Sequence, residues 1–293
     1  MQHADLVVIS YFADPAASML WQERRDVCRP WAFWGERPGA HQRGWLGRLV
    51  RRYRLRHLRW SAAPVWAIGS WAATAWREEF GGDRKVENLP YFSDLARFTH
   101  AATGRQHHPS RRRLLFAGSL IGRKGVDLLL KAFASISARH PGLSLTLAGR
   151  GDLETSLREE IALKKLPAVI ADFVPWEELP ALYAKHDILV VPSRYDGWGM
   201  VVPEGLASGM PVLATDQMGA ALDLIEDGKN GWVASAGSLE SLVRCLEQAL
   251  MLDEAALAAM SKAAQASVAA HQLVHGAEAF EKLSLQALDP HHG

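Results

Sequence analysis

The chain has 293 residues, 48% of them apolar and 22% charged, with a formal net charge of +1. This is a globular composition, long enough for one large core or two ordinary ones, and no low-complexity tract suggests a disordered tail. No apolar run approaches the ~18 residues that span a bilayer, Met1-Gln2-His3-Ala4-Asp5 is no signal peptide, and Cys28 and Cys245 are too few for a disulfide framework or a metal knuckle; the expected compartment is the cytoplasm.

The near-zero charge conceals a split. Residues 1–109 hold 16 Lys and Arg against 10 Asp and Glu, a balance of +6, and the remainder holds 17 against 22, a balance of −5. That asymmetry suggests two domains with different partners. The polar stretch Ala101 to Arg113 divides them, at about residue 105.

In the first part, Leu6 to Ser10, Pro30 to Trp34, Pro64 to Ile68 and Lys85 to Asn88 read as four short strands. Helical stretches alternate with them, which indicates a parallel sheet. The second strand runs into Gly35-Glu36-Arg37-Pro38-Gly39, where Glu36 either accepts a hydroxyl proton or caps a turn. Next comes Arg43 to Trp60, with seven arginines and no acid. Leu46, Leu49, Val50 and Tyr53 recur at i, i+3, i+4 and i+7, so one helix face is apolar and the others basic. Either that face joins the core and the arginines are solvated, or the helix meets anionic lipid or a phosphate-bearing acceptor. No nucleic-acid motif accompanies the arginines, so nucleic acid is not an expected partner.

The second part opens with the strand Leu114 to Gly118, the loop Ser119 to Gly125 and a helix from Val126 to Ala138. Leu143 to Gly149 is the next strand and ends in Gly149-Arg150-Gly151-Asp152, whose glycines alone say little about dinucleotides. Val169 to Val174, Ile188 to Val191, Pro211 to Ala214 and Gly231 to Val233 supply four more strands, and Glu177 to Lys185 a helix. A helical tail runs from Leu239 to Leu288. Doubly wound sheets bind ligands beyond the carboxyl ends of their strands, where all of these loops fall.

The most informative stretch is Pro192 to Thr215, PSRYDGWGMVVPEGLASGMPVLAT. Pro192 ends a buried strand, and Gly197 and Gly199 let backbone approach a ligand closely. From about Met200 a helix begins, with Pro203 in its first turn. Strand, glycine loop and helix start together offer free N–H groups to phosphate oxygens. Asp196 and Glu204 flank the loop, either as carboxylates that accept sugar hydroxyls or as helix-capping groups.

This stretch resembles the donor-site signature of the family 4 retaining glycosyltransferases, PS-x-x-E-G-F-G, a second Glu eight positions after the first, then A-x-G-x-P-V. Pro192, Ser193, Gly197, Gly199, Glu204, Ala207, Gly209, Pro211 and Val212 are in register. Asp196 stands for the first Glu and Trp198 for the Phe. The resemblance implies an α/β protein of the GT-B fold, with two Rossmann-like domains. Residues 1–105 would be an incomplete acceptor-side domain, the first half of the family's domain falling before Met1. Residues 106–270 would bind the donor, and a helix in 271–293 would cross back to the N-terminal domain.

The resemblance further implies transfer of a sugar, with retention, from a nucleotide-diphosphate sugar to a glycan or lipid-linked acceptor in envelope or exopolysaccharide assembly. Lys124 would neutralise the pyrophosphate; the family's accompanying Arg is Ser119 here, with Arg123 the nearest substitute. Glu204 would take the ribose hydroxyls and Asp196 a hydroxyl of the sugar. The backbone of Gly197, Trp198, Gly199, Met200 and Val201 would meet sugar and phosphate, beside Gly149, and Asp172, Phe173 and Val174 would hold the base. Catalysis would fall to Asp196, Glu204, Lys124 and Glu36. No Asp-x-Asp occurs, so neither a metal nor a cofactor is expected. The rival reading is a nucleotide- or sugar-binding subunit without turnover, favoured by Ser119, Asp196 and the missing segment. An epimerase would need further acid–base groups near the donor. Contact with the inner face of the membrane through Arg43 to Trp60 completes the expected partners.

Overall fold

The computed structural model describes residues 4–10, 15–38, 44–82, 84–103 and 112–289. They form two compact units, Met1–Phe92 with Leu273–Gly293, and Ser93–Gln272. The division expected at residue 105 lies outside the described residues, as does Arg43.

The first unit begins with β1 (Val7–Ile9), α1 (Pro15–Asp26), β2 (Trp31–Gly35), α2 (Trp45–Arg54), α3 (Arg56–Arg59), β3 (Val65–Ala67), α4 (Ser70–Phe80) and β4 (Val86–Asn88). The second contains α5 (Ala96–Ala101), β5 (Arg112–Ala117), α6 (Val126–Ser137), β6 (Leu143–Ala148), α7 (Glu154–Lys164), β7 (Ala168–Ala171), α8 (Leu179–Ala184) and β8 (Ile188–Val191). It continues with α9 (Val201–Ala207), β9 (Val212–Thr215), α10 (Gly219–Leu224), β10 (Gly231–Ala234), α11 (Leu239–Leu250) and α12 (Glu254–Ser267). The helix α13 (Leu273–Leu288) belongs to the first unit.

In the first unit four parallel strands lie in the order β1-β2-β3-β4. Alternate residues of a strand serve opposite faces. Trp31, Phe33, Val65 and Ala67 accordingly join Trp21, Leu55, Leu58 and Trp76 on one face. Ala32, Trp34 and Trp66 point the other way and are covered by Ala279, Leu283 and Ala287 of α13. Phe280 of α13 meets the rings of Trp34 and Trp66 edge-on, at 6.1 and 5.5 Å between centroids.

The basic stretch departs from its core-facing reading. It divides into α2 and α3, and Leu46, Leu49, Val50 and Tyr53 are 60, 54, 46 and 67% exposed. Arg51 is the inward residue, ion-paired to Glu79 of α4 through Nε at 3.0 Å and Nη2 at 2.8 Å. The inner face of this segment is completed instead by Leu55 and Leu58.

The second unit is a six-stranded parallel sheet in the order β10-β9-β8-β5-β6-β7. All four residues of β8 and of β9 are buried, as their unbroken apolar runs require of central strands. Asp187 pins β8 to β5 at its start: its carboxylate accepts the backbone N–H of Arg113 at 2.8 Å and the Arg113 guanidinium at 2.8 and 3.0 Å. The strand expected over Val169 to Val174 is β7, Ala168–Ala171. Its partner β6 ends opposite Ala171, so Asp172, Phe173 and Val174 run on as loop. The helical tail is three helices, the first two capped by Ser238 and Asp253 side chains.

Candidate functional site

The order of the second sheet reverses between β5 and β8. From β5 the chain proceeds outward to β6 and β7, and from β8 outward to β9 and β10. Such a switch leaves a crevice at the carboxyl edge where the two adjacent loops diverge. Here those loops are Gly118–Gly125, after β5, and Pro192–Met200, after β8.

They are joined closely. Gly125 has φ +71°, and a Cβ there would stand 2.0 Å from the carbonyl oxygen of Pro192. Arg194 N–H donates to the Arg123 carbonyl at 2.9 Å, and the Arg123 guanidinium to the Tyr195 carbonyl at 3.0 Å. The Arg194 guanidinium makes a forked pair with Asp127, both bonds 2.7 Å, and also meets the Gly122 carbonyl. That pairing holds the Asp127 carboxyl below its ordinary range. The loop after β6 joins in, since Leu120 N–H donates to the Arg150 carbonyl at 2.8 Å. Gly149, at φ +150°, is needed there because a Cβ would lie 1.9 Å from the Gly118 oxygen.

At the junction Lys124 Nζ is ion-paired with Asp196 Oδ2, and the Arg123 guanidinium lies 3.9 Å from Asp196 Oδ1. Asp196 is itself placed by its N–H bond to the Gln217 carbonyl at 2.9 Å, in the loop after β9. Gly199, at φ +92°, sits against the side chain of Met218, which a Cβ would approach to 2.9 Å. Among the described residues no backbone acceptor faces the N–H groups of Gly199, Met200 or Val201. Ser119 is exposed at the start of the β5 loop.

Glu204 lies in the first turn of α9 and is only 8% exposed. Burial pushes its carboxyl up to about 7, opposed by the Tyr183 hydroxyl, which donates to Oε2 at 3.2 Å, and by the charge of Arg97. Arg97, on α5, is anchored by the carbonyl of Trp176 at 2.9 Å and lies 3.4 Å over its indole ring. At the rim, Arg150 stands over the exposed ring of Phe173, beside Asp172 and Val174.

Of the residues singled out from the sequence, Lys124 and Arg123 both meet Asp196, with Gly197, Gly199 and Met200 in the same loop as Asp196, Val201 opening α9 and Gly149 behind the loop after β5. The Trp198 ring is buried against His271, 5.6 Å between centroids, so only its backbone belongs to the loop surface. Glu36 is an exposed residue of the first unit, following β2. Tyr183, Arg97 and Arg194 are the additions. Arg194 had a signal, its place inside the signature. Tyr183 reads as one apolar position of a helix, and Arg97 falls on the far side of the expected division. Among the described residues no three His, Cys, Asp or Glu cluster as metal ligands.

Residues 103–267 match the family model of glycosyl transferases group 1. The chain is 29% identical over 239 residues to the GDP-mannose-dependent alpha-(1-6)-phosphatidylinositol monomannoside mannosyltransferase of Mycolicibacterium smegmatis, covering 76% of this chain and 62% of that protein. It is 32% identical over 216 residues to the D-inositol 3-phosphate glycosyltransferase of Corynebacterium jeikeium, covering 68% of this chain and 51% of the relative. The chain thus spans between half and two thirds of the length of these curated relatives. Its fold is that of Anabaena HepE, solved with UDP and glucose, at a TM-score of 0.75 and 18% identity over 96% of this chain and 78% of the other. With the matched region taking up more than half of the chain, from within the second unit to the end of α12, the chain belongs to the group 1 glycosyltransferases.

Proposed function

We propose that this protein transfers a sugar from a nucleoside-diphosphate donor to a hydroxyl of a glycan or glycolipid acceptor, with retention of anomeric configuration. The observation that carries the reading is the Lys124–Asp196 pair at the sheet's switch point. A cation paired only to a carboxylate can exchange that partner for diphosphate, and Asp196 is then free to accept a hydroxyl of the donor sugar. Arg123, already within 3.9 Å of Asp196, supplies the second charge that Ser119 does not. Glu204, ionised, accepts the ribose hydroxyls.

In the transfer the bond from the anomeric carbon to the diphosphate oxygen breaks and one to the acceptor oxygen forms on the same face. The acceptor's proton passes to the departing diphosphate. Charge gathers on that diphosphate in the transition state, where Lys124 and Arg123 stabilise it. This route uses no covalent nucleophile.

The mannosyl relative makes GDP-mannose the first donor to test, with a phosphatidylinositol glycolipid as acceptor. Calorimetry should find GDP or UDP bound and the matching nucleoside bound far more weakly. Lys124→Ala should reduce diphosphate affinity by ~1.5–3 kcal/mol, the usual loss for a charged hydrogen bond, and leave the nucleoside unaffected. Equal affinity for nucleoside and diphosphate would overturn the reading. Ser119 favours a second one, a binding subunit without turnover, which predicts the same calorimetry and no labelled mannose in the lipid fraction.

A further inference from the structure

We infer that α2 is a docking surface for anionic membrane lipid. Trp45, Leu46, Leu49, Val50 and Tyr53 are 66, 60, 54, 46 and 67% exposed on this one ten-residue helix. At about 100° per residue they form a single band about 140° wide. Arg51 projects from the middle of the opposite side, and its two bonds to Glu79 prevent the helix from turning the band inward. Isolated exposed apolar side chains are ordinary on a protein surface, but a contiguous outward band locked in place marks an interaction site.

The charges around the band identify the occupant. Arg48 and Arg52 flank it on one side and Arg54 on the other, all exposed. Beside it, between α2 and the end of α4, opens a cavity of about 520 Å³ lined by Arg48, Arg51, Arg52 and Arg59 against Glu78 and Glu79. Four cations to two anions leave a positive site, one of whose anions is already engaged by Arg51. From Arg43 to Trp60 there are seven arginines and no acid, and Trp60, 79% exposed, ends the segment. An exposed apolar band that begins at Trp45 and has arginines at its borders fits the boundary between acyl chains and phosphate headgroups. No helix among the described residues is long and apolar enough to cross a membrane, so the contact lies in the plane of the surface.

The test is co-sedimentation of the full chain with vesicles of phosphatidylcholine alone and of phosphatidylcholine mixed with phosphatidylglycerol, over a range of salt. Binding is expected only to the mixed vesicles and should weaken as salt rises. Leu49→Glu/Val50→Glu should lower it at least tenfold, and Arg48→Gln/Arg52→Gln by roughly fivefold for each charge removed. Leu163→Glu, on the exposed side of α7, should leave it unchanged. Inorganic phosphate at the same phosphate concentration should compete poorly, because it cannot engage the band. All substituted positions are exposed, so circular dichroism should show an intact fold. Failure to bind either vesicle, equal binding to both, or indifference to the α2 changes would overturn the inference. So would self-association that Leu49→Glu/Val50→Glu abolishes without any vesicle binding.

Discussion

Glu204 carries opposing demands in one side chain. Its carboxyl has a value of about 7 in the fold, against an ordinary 4.5. Below 4.5 it is protonated in both folded and unfolded chains and costs nothing. As pH rises from 4.5 to 7 the unfolded chain ionises first, and stability is lost until, above 7, the full penalty of a desolvated charge applies. At ~1.4 kcal/mol per pH unit the penalty is at most about 3 kcal/mol. Glu204→Gln should therefore be more stable than the parent in urea at pH 8 and no more stable at pH 4, a difference absent if the carboxyl titrates normally. The same variant should bind nucleoside diphosphate ~1.5–3 kcal/mol more weakly, through loss of the charged acceptor. Asp196→Asn should behave otherwise. It releases Lys124, so affinity for free diphosphate should hold or rise while affinity for the sugar-bearing donor falls; equal losses of free diphosphate in both variants would refute this division of labour.

Among the elements, the loop after β5 depends on one residue's freedom. Gly125→Ala would force a side chain into a left-handed conformation, at ~1–3 kcal/mol, and drive its Cβ onto the Pro192 carbonyl. Urea unfolding should report at least that loss, and diphosphate binding should fall as Lys124 moves off Asp196. Gly122→Ala, three residues earlier and with nothing within 4 Å of the added carbon, should change neither. Strands and loops of the second unit were legible in the sequence because their information is local. The buried run Ile188 to Val191, the glycines after it and the signature through Val212 lie in consecutive residues. What escaped was information that folding alone brings together. Tyr183 reaches Glu204 from another helix, 21 residues away in the chain, and Arg97 approaches from α5. For α2 the periodicity revealed an apolar face and could not say which way it points, since that is decided by Arg51 finding Glu79 on α4.

At the scale of the molecule, the first unit is assembled from two separated parts of the chain and the second from one continuous part. Ending the chain after Gln272 should strip α13 from Ala32, Trp34 and Trp66 and destabilise the first unit, while calorimetry should still find diphosphate bound by the second. Loss of nucleotide binding on that truncation would contradict it. The packing of α13 also has a consequence for biosynthesis. Gly276 lies so close to Phe92 that a Cβ would meet its ring at 2.4 Å, a contact between residues made far apart in time on the ribosome. Strands β1 to β4 emerge first, yet one face of their sheet stays bare until the whole of 93–272 has been translated. The second unit, later in sequence but continuous, can close its core before the first does. During that interval Trp34 and Trp66 offer open aromatic surface to chaperones and to neighbouring nascent chains, so slowed translation beyond Gln272 should increase aggregation of this protein far more than slowed translation before Ser93.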